Sequence, residues 1–155
     1  MKYLVTLLSL FICVLSTSNT KETYDLASTS KFISMDSEYA DIDIHTMILL
    51  KKRAAVRMID DGWTSDNYVL HEMDCEDFAL RLKTEMTKIA SEMGILKGKA
   101  LAAGLFGYQK DLGGGHAVVF VICDGRLFFF EPYPNQNFPI KLSKSEISGA
   151  MIKIF

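Results

Sequence analysis

An Asp124-Gly125 dipeptide between two apolar runs constrains the fold of this chain more than any other feature. Residues 117–122 and 127–130 on either side of it are aliphatic and aromatic, a composition typical of strands. Asp-Gly is favoured in two-residue hairpin turns because both positions take a positive φ. The sequence therefore predicts an antiparallel hairpin with a fixed register.

The register of this hairpin brings distant residues side by side. With Cys123 facing Arg126, counting outward places Glu131 diagonally beside His116, with their backbones roughly 7–8 Å apart. Opposed residues share a face and successive residues alternate, so His116 and Glu131 point one way and Cys123 points the other way. A glutamate and a histidine side chain are long enough to close the remaining gap.

A long helix is predicted ahead of the hairpin. Asp74 is its N-cap, and Gly94 ends it. Its apolar residues recur at intervals of three and four, which predicts a stripe that faces the core. The stripe consists of Cys75, Phe78, Ala79, Leu82, Met86, Ile89, Ala90 and Met93. Cys75 thus lies both in the first turn and on the buried side.

The order of helices and strands indicates an α+β fold, in which a central helix packs against an antiparallel sheet. An earlier helix is expected between Ile42 and Ile59, with the charged run 51–53 on its solvated side. A capping-box pattern at 143–146 predicts a short last helix, followed by a strand at 151–155. With 155 residues, 49% hydrophobic, the chain has the material for one core. Its net charge of -2 gives no basic surface for nucleic acid.

The first residues have the pattern of a secretory signal. Lys2 supplies a positive charge, residues 4–15 are mostly apolar, and small polar residues follow. The predicted organisation is a signal peptide at 1–19, a flexible N-terminal arm at 20–40 and a catalytic domain at 41–155. The expected location is secreted or periplasmic, with no membrane contact after cleavage.

The candidate catalytic site combines a cysteine at the start of a predicted helix with a histidine at the start of a predicted strand. A thiol at a helix start and a histidine at a strand start meet only in the fold, which is how a thiolate nucleophile reaches its base. Cys75 and His116 fit these two roles, and Glu131 is placed to orient the imidazole. Three amide residues remain alternatives for the third role, namely Asn135, Gln136 and Asn137.

The segment before the helix offers a second donor for an oxyanion, beside the backbone N–H of the cysteine. Asn67 is preferred there because a neutral amide donates at any pH; Trp63 and His71 are the alternatives.

Three carboxylates crowd the first turn of the long helix, namely Asp74, Glu76 and Asp77. They suit a helix N-terminus as caps. Alternatively they hold a hard cation such as Ca²⁺, which would offset their effect on the neighbouring thiol.

Three short motifs in this order resemble papain-like and transglutaminase-like cysteine peptidases. They are Asp-Cys-Glu-Asp-Phe-Ala at 74–79, Gly-His-Ala at 115–117 and Phe-Glu-Pro at 130–132. Bacterial transglutaminase-like cysteine proteinases are similar, and the C-terminal protease domain of the fairy-ring mushroom agglutinin is more so. The resemblance implies a papain-like core with the nucleophile at the N-terminus of a central helix, and a triad that cleaves peptides with calcium. That agglutinin's carbohydrate-binding repeats are absent, so lectin activity is not implied.

The leading hypothesis is accordingly a secreted thiol peptidase, a cysteine hydrolase acting on a protein, peptide or peptidoglycan substrate. Cys75 would attack, His116 would move protons and Glu131 would orient it, with Ca²⁺ as an optional ion and no other cofactor. One alternative is a peptidoglycan amidopeptidase or transglutaminase-type acyl transferase with the same triad. The other is a non-enzymatic secreted binding domain with a disulfide between Cys75 and Cys123.

Overall fold

The computed structural model describes residues 38–68 and 73–154, so the predicted signal and most of the predicted arm lie outside it. None of the helices in this part of the chain is long and apolar enough to cross a membrane. The elements in chain order are β1 (Tyr39–Ala40), α1 (Ile44–Asp60), a 3-10 turn (Ser65–Asn67), α2 (Cys75–Glu92), β2 (Ala100–Leu101), β3 (Ala103–Gln109), β4 (Gly115–Cys123), β5 (Arg126–Phe130), α3 (Lys144–Ser148) and β6 (Ala150–Ile154). Residues 39–40, assigned to the arm from the sequence, pair with β2.

Strands β5, β4, β3 and β6 form a four-stranded antiparallel sheet in that order. The predicted hairpin is confirmed, since Cys123 pairs with Arg126 across the turn. Asp124 and Gly125 take φ values of 50° and 68°, the left-handed conformation that this turn requires. The ladder ends at the pair of Val119 and Phe130, one residue before Glu131.

Helices α1 and α2 pack against each other, and α2 also packs on β4 and β3. Both predicted helices are confirmed, and side-chain caps explain where they begin. Asp43 accepts from two backbone N–H groups at the start of α1, and Asp74 forms a capping box with Asp77 at the start of α2. The short last helix has the capping box predicted for it, built by Ser143 and Glu146.

The sheet separates two apolar clusters, one on each face. The cluster beneath the helices takes alternate residues of β4, including Ala117 and Cys123, together with Cys75. The opposite cluster takes Val118 and Phe120 and is closed by Leu142 from the chain after β5. This alternation is the strand periodicity expected for a sheet buried on both sides.

The disulfide between Cys75 and Cys123, considered as part of the alternative of a binding domain, does not form, because both thiols are free. Both cysteines belong to the helix-side cluster, so the face of the sheet does not separate them. They are separated along β4, because the Cys75 sulfur lies at the N–H of Ala117, and Cys123 follows about 20 Å further along at the usual strand rise.

The α+β class and the helix packed on an antiparallel sheet are confirmed. The finer prediction of a papain-like core is not confirmed.

Removing Glu85 is expected to destabilise this fold. Its carboxylate is buried on α2 and contacts Arg57, Arg81 and Lys88. Hydrogen bonds to charged groups contribute about 1.5–3 kcal/mol each, so we expect Glu85→Ala to lower the free energy of unfolding by about that amount in urea titrations. The control is Glu92→Ala, whose exposed pair with Arg57 should contribute less than about 1 kcal/mol. Equal losses in the two variants would contradict this assignment.

Candidate functional site

His116 and Glu131 meet at one end of the sheet. His116 is the second residue of β4 and Glu131 directly follows β5, and their Nε2 and Oε2 atoms lie 2.8 Å apart. The imidazole is buried, with 4% of its side chain exposed, and the carboxylate is 15% exposed. The structure therefore brings together the two residues that the hairpin register predicts as neighbours.

The three amides considered as alternative partners of His116 lie on the chain after β5. Asn135 and Gln136 are exposed, and Asn137 is half-buried. The partner on the imidazole is the carboxylate of Glu131.

Aromatic rings frame the histidine. Tyr133 stacks on the imidazole with an interplanar angle of 26°, and Tyr108 meets it edge-on from β3. Tyr68 packs against Tyr133 with ring centroids 6.4 Å apart, and its own ring is exposed. The site therefore has a polar centre and a wall of phenol rings that reaches the surface.

Cys75 begins α2 beside this centre, but its thiol is held in the neutral form. The Sγ atom donates to Glu76 Oε2 at 3.3 Å and lies at the backbone N–H of Ala117. Burial raises the pKa of Cys75 to about 11, and the carboxylates of Glu76 and Asp74 act in the same direction. A thiol, and not a thiolate, therefore faces the site at neutral pH, because the burial and the acidic neighbours outweigh the helix N-terminus.

The Cys75 thiol is expected to react slowly with iodoacetamide at pH 7. With a pKa of about 11, roughly one molecule in ten thousand carries the thiolate at that pH. The alkylation rate should rise about tenfold for each pH unit up to pH 10, measured by mass spectrometry against free cysteine. Because Cys123 is a second free and buried cysteine, the Cys75→Ser variant is needed to show which part of the signal comes from Cys75. Rapid alkylation of Cys75 at pH 7 would contradict the neutral thiol.

Lys51 is a site residue that the sequence analysis missed. The sequence predicts it on the solvated side of its helix, which is wrong, because its side chain is fully buried on α1. Its Nζ donates to the carbonyl oxygen of Tyr133 at 2.9 Å. Burial lowers the pKa of Lys51 to about 8, against an opposing effect of the Glu131 charge. Its spacing of four residues from Met47 is the signal that would have placed it on the buried stripe.

The structure describes two of the three candidate oxyanion donors, Asn67 and Trp63. Asn67 is exposed on the 3-10 turn, and its amide nitrogen donates to the carbonyl oxygen of Gly62. Trp63 is half-buried and packs edge-on against Phe78 of α2. His71 lies outside the described residues. The Asn67 amide is thus engaged within its own loop.

The acidic residues at the start of α2 act as caps. Asp74 accepts from the N–H of Glu76, Asp77 accepts from the N–H of Asp74, and Glu76 accepts from the Cys75 thiol. Across residues 38–68 and 73–154, no three acidic, histidine or cysteine side chains converge in a way that could hold a metal ion. Calcium binding by these residues therefore stays a prediction.

A separate groove of about 440 Å³ lies on the outer side of the helices. It is lined by Arg53, Val56, Arg57, Ile89, Glu92 and Met93, none of which was predicted as a site residue. Its polar groups are largely paired with one another, since Arg57 binds Glu92 and Arg53 contacts Met93.

Comparison with known proteins relates this chain to lectin structures. A Polyporus squamosus lectin bound to the human-type influenza-binding epitope Neu5Acα2-6Galβ1-4GlcNAc matches with a TM-score of 0.53 and 23% identity, over 81% of this chain and 42% of the lectin chain. A PSL1a–E64 complex matches with a TM-score of 0.57 and 24% identity, over 82% of this chain and 44% of the other. No protein-family model matches, and no curated protein is significantly similar.

These findings overturn the peptidase prediction. A Polyporus squamosus lectin shares this fold, and no peptidase family matches, so the papain-like and transglutaminase-like resemblance is wrong as a family assignment. The predictions of a cysteine hydrolase, a thiol protease and a transglutaminase-type enzyme are corrected for the same reason. A protein, peptide or peptidoglycan substrate likewise has no support.

At 23–24% identity, the likeness shows a common fold, and this chain spans less than half the length of the lectin chains that it matches.

Proposed function

We propose that this chain is a non-enzymatic binding domain for a carbohydrate-type ligand, held at the site of Cys75, His116 and Glu131. The observation that carries the proposal is the buried His116–Glu131 pair framed by the rings of Tyr133 and Tyr68. Binding sites of this kind combine an apolar wall with a few convergent polar groups. The lectin that shares this fold is bound to a carbohydrate epitope, which supports the choice of ligand and agrees with a partner other than nucleic acid.

The polar groups suit a ligand rich in hydroxyls. The Glu131 carboxylate has two oxygens and spends one of them on His116, so the other can accept from a ligand hydroxyl. Hydrogen bonds to an ionised acceptor are about twice as strong as those between neutral groups. Glu76 is exposed at the start of α2 and offers a second carboxylate beside Cys75.

The aromatic rings suit the C–H faces of a sugar. Tyr68 is 38% exposed and rests on Tyr133, whose ring is half-buried. Phenol rings offer an apolar face to stack on and a hydroxyl that can stay hydrated, which is why tyrosine is common where one side of a contact is apolar and the other wet.

The charge around the site favours neutral sugars over acidic ones. Glu131 and the acidic start of α2 surround the cysteine, whereas Lys51 is fully buried and presents no charge to a ligand. A carboxylate on the ligand would meet carboxylates of the protein, which costs about 1 kcal/mol per close contact in water.

Calorimetric titration with two sugars tests the proposal. We expect the full chain to bind the neutral disaccharide Galβ1-4GlcNAc, and to bind Neu5Acα2-6Galβ1-4GlcNAc about fivefold more weakly at low salt. The difference should shrink at high salt, because screening shortens the reach of the protein charges. Cellobiose serves as a control for unspecific stacking. Absence of binding to either glycan, or tighter binding of the acidic one, would contradict the proposal.

A secreted or periplasmic location fits a domain that meets carbohydrate outside the cell. This location still rests on the signal pattern of residues 1–19. Mass spectrometry of the mature protein tests it, and an N-terminus at Met1 would contradict it.

A further inference from the structure

We infer that Lys51 is a positioning residue for the binding site, which fixes the Tyr133 carbonyl from beneath and balances the Glu131 charge, so that ligand affinity falls when Lys51 loses its proton. This inference rests on the proposed function. It names the regulation of that same site by pH, and it assigns a role to a buried charge that the ligand itself cannot reach.

The geometry shows what Lys51 supports. Its ammonium reaches from α1 to the segment after β5 and donates to the Tyr133 carbonyl at 2.9 Å. The Tyr133 ring stacks on His116, and His116 is bonded to Glu131. A fully buried lysine thus holds the backbone of the residue that forms the wall of the site.

The burial of this charge needs an explanation. Lysine is almost never fully buried unless it is paired, since removing an ammonium from water is costly. One carbonyl oxygen satisfies one of its three donors. A buried ammonium destabilises the fold unless a nearby negative charge compensates it. The Glu131 carboxylate supplies that charge, because it favours the protonated form of Lys51.

The groups shown to act on Lys51 lie in the segment after β5, namely the charged Glu131 and the carbonyl of Tyr133. The Tyr133 ring in turn contacts Phe78 of α2 and His116 of β4. Glu131 is the charged group among these whose field acts on Lys51.

The direction of the pH effect follows from the lowered pKa of Lys51, about 8. Above this pH the lysine becomes neutral in the folded chain, the Glu131 charge loses its balance, and the Tyr133 carbonyl loses a charged donor. In the unfolded chain the lysine stays charged to its ordinary value of 10.5. The unfolded state therefore binds more protons between pH 8 and 10.5, and the Lys51 contribution to stability rises with pH in that window. A loss of binding above pH 8 consequently cannot come from unfolding driven by Lys51.

Variants of Lys51 separate its charge from its hydrogen bond. Lys51→Met removes both, and Lys51→Gln keeps an N–H donor without the charge. Lys52→Met is the matched control, because Lys52 is the next residue and lies exposed over the Phe138 ring. We expect Lys51→Met and Lys51→Gln to bind Galβ1-4GlcNAc about tenfold more weakly at pH 7 while their melting temperatures stay within a few degrees of the parent.

The pH profile is the readout that a merely structural role would not change. In the parent chain and Lys52→Met, affinity should fall by about fivefold between pH 7 and 9, with an inflection near pH 8. In Lys51→Gln the affinity should be low and flat across this range. An inflection near pH 8 that persists in Lys51→Gln, or an unchanged affinity in both Lys51 variants, would overturn the inference.

A measurement without ligand keeps this test independent of the proposed function. The ring nitrogen resonances of His116 should show an inflection near pH 8 in the parent chain, transmitted through Glu131 and Tyr133, that is absent in Lys51→Gln. If the parent chain binds neither sugar but shows this inflection, the ligand proposal fails and the coupling stands. If the inflection is missing, the coupling fails whatever the sugars do.

Discussion

Phe78→Ala is expected to lower the free energy of unfolding by about 3–5 kcal/mol. Phe78 is fully buried on α2, and its ring contacts Trp63 and Tyr133, each with centroids 5.2 Å away. Removing it leaves a cavity between α2, the loop before it and the segment after β5. The substitution should therefore also loosen Tyr133, the ring that covers His116.

Urea titration followed by circular dichroism measures this loss. An unchanged m-value would show that the variant exposes the same surface area on unfolding as the parent. The matched control is Phe138→Ala, the same substitution at a ring that is 65% exposed. Its effect should stay below about 1 kcal/mol. If the two variants lose equal stability, Phe78 does not hold the core position described for it.

Glu131→Gln is expected to weaken ligand binding by about ten- to a hundredfold. The substitution keeps the shape of the side chain but replaces an ionised acceptor with a neutral amide. It removes the charge-assisted contacts to His116 and to a ligand hydroxyl, which are worth about 1.5–3 kcal/mol each. It also removes the charge that Lys51 faces.

Calorimetry with Galβ1-4GlcNAc gives the affinity, and thermal unfolding shows whether the variant is folded. Glu92→Gln is the control, because Glu92 is an exposed glutamate on the groove side of α2 and forms no part of the site. An affinity of Glu131→Gln equal to that of the parent would remove Glu131 from the site. A loss in Glu92→Gln would move the site to the groove.

Local sequence rules predicted much of this fold. The ends of α2 follow from Asp74 and Gly94, and the register of the hairpin follows from Asp124-Gly125, because capping and turn geometry depend on a few neighbouring residues. That register was sufficient to bring Glu131 to His116, even though the ladder ends one residue before Glu131.

The sheet face that α2 covers could not be predicted in the same way. The helix packs on the side of Ala117 and Cys123, so Cys75 lies on the same side as Cys123. Which face a helix covers depends on tertiary packing, and a period of two in a strand leaves both choices open. The burial of Lys51 runs against the usual exposure of lysine, although its position on the helix places it on the buried stripe.

The function was the least predictable part. Cysteine, histidine and glutamate at suitable spacing indicated a peptidase, whereas a solved structure that shares this fold is described as a Polyporus squamosus lectin. Spacing fixes which residues can meet, but the environment decides their chemistry. Burial and the bond to Glu76 both raise the pKa of the Cys75 thiol, an effect that spacing alone does not reveal.

Chemical-shift mapping by NMR tests the central claim most directly. The full chain, labelled with ¹⁵N and ¹³C, is titrated with Galβ1-4GlcNAc at pH 7. The account predicts that the largest shift changes fall on Cys75, His116, Glu131 and Tyr133 at the common end of α2 and the sheet. Changes centred on the groove of Arg53, Val56 and Met93, or no changes at any sugar concentration, would contradict it.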